Sequence, residues 1–134
     1  MSVIAAAAAA PYAAVFGLLH TALTVRVIRQ RVRTGVQSGD GGDTTLAQAI
    51  RAHANFTEQV PIALLLILVA EGLGTPSAFV HAMGIALLAG RAANAWGLSR
   101  SLGPTQPRQA GAGLTLLVIA AAAVAIIWRL IAAS

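Results

Sequence analysis

Four apolar stretches, over residues 3–27, 46–70, 77–98 and 109–130, leave this chain few architectures to choose from. Each has the roughly 20 residues that, at ~1.5 Å per residue, carry a helix across a ~30 Å hydrocarbon layer. Backbone polar groups in lipid must be satisfied within the segment, which selects helices for all four. Hydrophobic residues make up 57% of the 134, charged residues only 10%, and mean hydropathy is +0.78. A soluble domain of this length has no room to hide that much apolar surface. The breaks are well marked: a charged, Gly-rich stretch at 29–45 containing GVQSGDGGD, a tight turn at 72–76, and a segment at 101–107 with Gly103, Pro104 and Pro107. The second connection is short enough to make helices two and three antiparallel neighbours. The expected fold is all-α, a single integral-membrane domain over 1–134 arranged as an up-down-up-down four-helix bundle.

Charge placement gives the bundle a direction. The first stretch lacks a basic leader and carries its positive charge after the apolar run, so it is expected to remain attached. Arg26, Arg29, Arg31 and Arg33 with Arg100 and Arg108 put six arginines on one side, against Arg129 near the other. The positive-inside rule then places both termini outside and the loops at 28–45 and 99–108 in the cytoplasm. Trp128, Arg129 and Glu71 read as anchors at the outer interface. The loop at 35–45 has no visible task, and its shortening is expected to be tolerated. The chain has no cysteine, which removes disulfides, thiolate metal ligands and an intrinsic nucleophilic thiol, and with them a cysteine-based quinone or disulfide oxidoreductase. His20, His53 and His81 are scattered, and no metal is expected. No nucleic-acid partner is expected either.

Against this background the segment RAHANFTEQVP, residues 51–61, stands out because it puts ionisable groups into a membrane helix. Arg51, Asn55 and Glu58, spaced i, i+4, i+7, fall within a stripe roughly 60° wide. Such groups cost a few kcal/mol or more each at membrane depth unless paired or facing a wet cavity, so the stripe is either an internal salt bridge joining helices or a site. The remainder of helix two, 60–70, has no polar side chain, so a site here opens toward the cytoplasm. Pro61 cannot donate to the Thr57 carbonyl and is expected to bend the axis, either widening a pocket or as a tolerated kink. Helix three adds Arg91 and, one turn on, Asn94. Arg91 is a candidate partner for Glu58, yet two arginines to one carboxylate leave a positive charge over, which an anionic ligand would balance. Ala82, Ala86 and Gly90 form a small-residue ridge for close helix approach. Arg108, after Pro107 at the start of helix four, is either a positive-inside anchor or part of an anion site at the helix N-terminus.

RAHANFTEQVP resembles the helix-two signature of the membrane-associated proteins in eicosanoid and glutathione metabolism, the MAPEG superfamily: Arg, any three, Asn, any two, Glu, then a nearby Pro. GRAAN in helix three and RQAGAGLT opening helix four look like the family's later segments, and the similarity is greatest to its small bacterial members. The resemblance implies a homotrimer in a bacterial inner membrane that binds glutathione, or another low-molecular-weight thiol, in clefts between subunits. Arg51, Asn55 and Glu58 would hold the charged ends of the tripeptide, Glu58 meeting the amine and Arg51 a carboxylate. Arg91 and Asn94 would line the cleft, and Arg108 would stabilise the thiolate. The family's tyrosines along helices three and four are missing: the only tyrosine is Tyr12, and Leu98 stands where an aromatic is expected. The reading implied is a glutathione-dependent transferase or peroxidase acting on hydrophobic electrophiles or lipid hydroperoxides arriving through the bilayer. The alternative is a non-catalytic protein that binds a lipid or fatty-acid-like anion in the same cleft. A small exporter fits less well, because helix one carries no coupling carboxylate.

Overall fold

The computed structural model describes residues 7–133. Four helices follow in order, α1 (Ala10–Thr34), α2 (Thr44–Gly72), α3 (Ser77–Arg100) and α4 (Gln106–Ala132), all long and apolar enough to cross a membrane. Contacts at both ends show that they alternate in direction. The start of α1 meets the end of α2 and the start of α3, while Leu73 after α2 meets Arg129 near the end of α4. The last three helices match the expected spans to within three residues. Pro61 lies inside an unbroken α2.

Helix one departs from its expected span of 3–27, of which 3–6 lie outside the described residues. It begins at Ala10, with Pro11 in the first turn where a missing N–H removes no intrahelical bond, and runs on to Thr34. The arginines expected beyond it therefore belong to it. Arg31 and Arg33 lie in its last turn, where cations complement the negative helix end, and Gly35 at φ 70° closes it by donating to the Arg31 carbonyl at 2.8 Å. Hydropathy cannot see this extension, because the caps and charges that sustain it are polar.

The loop after α1 is shorter and more tied down than its composition suggested. Arg31 Nη1 donates to the carbonyls of Val36 and Gly39 at 3.2 and 3.0 Å, and Arg33 pairs with Asp43 at 2.8 Å. Asp43 caps α2, accepting from the Leu46 N–H at 2.8 Å; that bond first, and Arg33 beside it, hold its carboxyl below the usual carboxylate range.

α2 is the central helix, packed against each of the other three. Its buried face, including Phe56, Val60, Ala63 and Ile67, meets Phe16 of α1, Leu87 of α3 and Val118 of α4. α1 buries only Phe16. The outward faces remain apolar: Leu18 is 74% exposed and Val32 80%. That is the pattern of a chain whose solvent is lipid or further protein.

α3 and α4 pack closely because glycines face each other. A Cβ on Gly111 would stand 2.7 Å from the Asn94 nitrogen and closer still to the Gly90 carbonyl oxygen. A Cβ on Gly97 would meet Thr105 Oγ1 at 2.5 Å and the Arg108 nitrogen at 2.7 Å. Of the ridge expected at Ala82, Ala86 and Gly90, Gly90 makes this contact and Ala86 is partly buried against the core, while Ala82 is exposed.

The residues expected to be interfacial anchors also join helices. Glu71 accepts from the Ala8 and Ala9 N–H groups at 2.7 and 2.9 Å, bringing a carboxylate to the positive N-terminal end of α1. Arg129 donates from Nε to the Leu73 carbonyl at 2.9 Å, just beyond the end of α2.

Candidate anion-binding cleft

The polar residues singled out in the sequence lie in the half of the bundle that carries the α1–α2 and α3–α4 loops, with Glu58 at the middle of α2, but not in one continuous network. Arg51 and Glu58 pair along α2, with 4.0 Å between Nη1 and Oε1, and both side chains are about half exposed. Glu58 thus faces outward and is not the partner of Arg91. The Arg91 side chain, 7% exposed, runs inward and donates from Nη2 to Asn55 Oδ1. Its Nε and Nη1 are buried without a hydrogen-bond partner, and among the described residues no carboxylate pairs with it. A small cavity of about 30 Å³ beside it, bounded by Leu23, Ala52 and Phe56, has room for one or two waters.

Two bonds fix which way the amides point. A guanidinium has only donors, so Asn55 must turn its oxygen to Arg91, which leaves its NH₂ for an outside acceptor. A backbone carbonyl only accepts, so Asn94 must turn its NH₂ to the Arg108 carbonyl, at 3.4 Å, and keep its own oxygen for a donor. One amide is therefore poised for a carboxylate or carbonyl, the other for an N–H.

Asn55 and Asn94 line a cleft of about 430 Å³ with Leu102, Pro104, Arg108 and Gln109. A second cleft of about 400 Å³ holds Arg51, Gly39 and Asp40, and shares Leu102 and Arg108 with the first. Each has the size of a small-molecule site. Arg108 stands on the wall between them, in the first turn of α4, because Gly97 lets that turn settle onto α3. Its Nη1 donates to the carbonyls of Leu102 and Gly103 at 2.6 and 3.1 Å, so the guanidinium is steadied by its own loop. In the second cleft Arg51 and Arg108 face one carboxylate, Asp40, and in the first Arg108 is the one charged residue of the lining, an excess of positive charge suited to an anionic ligand.

The sequence profile of the MAPEG family matches residues 9–128, spanning all four helices. The chain belongs to the MAPEG family. Over 91 residues it is 41% identical to the inner membrane protein YecN of Escherichia coli K12, covering 68% of this chain and 70% of that protein, and the same figures hold for YecN of Escherichia coli O6:H1.

In this MAPEG chain the inferred helix-two stripe is present, and Arg91, Asn94 and Arg108 lie at the same end of the bundle. Three features of that end were missed in the sequence. The loop between α1 and α2 is not idle, since Gly39 and Asp40 wall the second cleft. Gly97 and Gly111 set the height of Asn94 and Arg108; the seven-residue interval from Gly90 to Gly97 was the available signal. His20 and His53 are not scattered, with ring centroids 5.2 Å apart between α1 and α2. Tyr12 lies at the opposite end, 3.0 Å from His81, and Leu98 is buried, so neither offers a phenol to the cleft.

Proposed function

We propose that this MAPEG protein is an inner-membrane, thiol-dependent transferase or peroxidase for hydrophobic electrophiles, using glutathione or a similar low-molecular-weight thiol. The carrying observation is Arg91, a buried cation whose Nε and Nη1 lack partners, linked through Asn55 to a cleft walled by Asn94 and Arg108. A charge so placed is costly unless an anion completes it. The Asn55 NH₂ and Arg51 would take carboxylates, Glu58 or Asp40 the amine, and the Asn94 oxygen a peptide N–H.

Arg108 would hold the sulfur. A cation beside a thiol lowers its pKa from about 8.5, enlarging the nucleophilic fraction at neutral pH. The thiolate would then attack an electrophilic carbon, forming a C–S bond as the leaving group departs with the bonding electrons. With a hydroperoxide it would attack the terminal oxygen, breaking O–O to give an alcohol and a sulfenic acid that a second thiol reduces.

The half-exposed Arg51–Glu58 pair supports the homotrimer. Glu58 lies about 21 Å along α2 from Thr44, near mid-helix, where exposure to hydrocarbon is expensive. A neighbouring subunit over this face would remove that cost and close the clefts. Both termini would lie outside and the clefts would open to the cytoplasm, following the arginine distribution.

Arg108→Ala is expected to lower turnover on the order of 100-fold, as does removal of a donor that stabilises a developing anion. Thiol affinity should change little, and the bound thiol should ionise at higher pH, read by thiolate ultraviolet absorbance. Unchanged turnover and ionisation would remove Arg108 from the chemistry. Turnover absent from the wild type with every electrophile, alongside tight binding of a fatty-acid-like anion, would favour the non-catalytic reading that the same excess of cations permits.

A further inference from the structure

At the far end of the bundle a trough of about 620 Å³ runs along α4 beside the α2–α3 turn and the start of α3, and it plays no part in the polar site. Phe79, Leu117, Ala121, Val124 and Trp128 line it, and Thr75 and Arg129 stand at its end. Its length matches one leaflet. From Leu117 to Trp128 is eleven residues, about 16 Å at 1.5 Å per residue, against ~15 Å for half of the hydrocarbon layer.

The polar end is built for an acceptor. Thr75, 8% exposed, has its Oγ1 buried without a hydrogen-bond partner among the described residues. Arg129 lies across the turn beside it, with Nε on the Leu73 carbonyl and Nη2 where a Cβ of Gly74 would be, 2.5 Å from that position. The Nη groups have no hydrogen-bond partner among the described residues, while Glu71 at this end is engaged by Ala8 and Ala9. An apolar trough one leaflet deep thus ends in a fixed cation and an unused hydroxyl at headgroup height.

We propose that this trough binds an anionic phospholipid, one acyl chain lying along α4 beside Phe79 and the phosphodiester meeting Arg129 and Thr75. A phospholipid suits it better than a free fatty acid because the walls stay open along their length: Leu117 and Val124 are each 64% exposed and Trp128 68%. A second acyl chain can remain in the bilayer.

Native mass spectrometry of the detergent-purified full chain, titrated with phosphatidylglycerol or phosphatidylcholine of identical acyl chains, tests this directly. Both lipids offer a phosphodiester, but phosphatidylcholine also brings a quaternary ammonium that Arg129 repels, so phosphatidylglycerol should bind about tenfold more tightly. Arg129→Gln should abolish the preference, and Val124→Trp, which fills the trough and leaves Arg129 in place, should weaken both lipids. Equal binding of the two lipids by the wild type would overturn the proposal, as would a preference that survives Arg129→Gln. Displacement by oleate as effective as by phosphatidylglycerol would make it a carboxylate site and overturn it too. Val124→Trp that dissociates the oligomer without altering lipid binding would assign the trough to a second copy of the chain instead.

Discussion

Arg91→Met is expected to make the protein harder to unfold and at the same time unable to hold an anionic ligand. The guanidinium is buried, one nitrogen reaches Asn55, and Nε and Nη1 have no partner. Leaving a polar group in that state costs about 1–3 kcal/mol, more when it is charged, and methionine fills a similar volume without the penalty. The Asn55 oxygen loses its donor, but Asn55 is only half-buried and water can replace it. The thermal midpoint of the variant in detergent should therefore rise. Thiol affinity should fall about tenfold or more, because Asn55 is no longer oriented and the excess positive charge has gone. A variant that unfolds more readily but binds as before would mean that Arg91 is scaffold, not site.

Gly111→Ala should do the opposite, loosening the fold. The added methyl meets the Gly90 carbonyl and the Asn94 nitrogen, both backbone and both unable to swing aside, so α3 and α4 must separate. Overpacking of this kind costs roughly 1–3 kcal/mol. It also displaces Asn94 and the first turn of α4 that carries Arg108, so turnover should fall with stability. Gly113→Ala is the control: nothing lies within 4 Å of its Cβ, and alanine is favoured over glycine in a helix by about 1 kcal/mol. The control should be neutral or slightly stabilising. Equal behaviour of the two variants would show that the tight contact at Gly111 carries no load.

These two predictions rest on features of different legibility. The stripe of Arg51, Asn55 and Glu58 was readable because three positions and a 3.6-residue turn fix their relative direction without knowledge of any partner. Which helix each residue faces was not. Arg91 was offered Glu58 on charge alone, yet Glu58 turns outward with Arg51 and Arg91 finds the neighbouring amide instead. Spacing also could not say where α4 stands along α3, so Gly90 was read as one of a ridge with Ala82 and Ala86 while its apposition with Gly111 escaped notice. Hydropathy delimited α2, α3 and α4, whose ends coincide with turns. It misplaced α1, whose last turns are sustained by arginines and a left-handed glycine, not by apolar character.

The most direct test of the central claim is glutathione binding to the detergent-purified protein by calorimetry, comparing the wild type with Arg51→Ala. Binding by the wild type that is lost in the variant is the expected result, and would tie the polar end of α2 to a thiol peptide. No binding at millimolar glutathione by a folded wild type would contradict a glutathione site and move the search to another thiol or to a lipid anion.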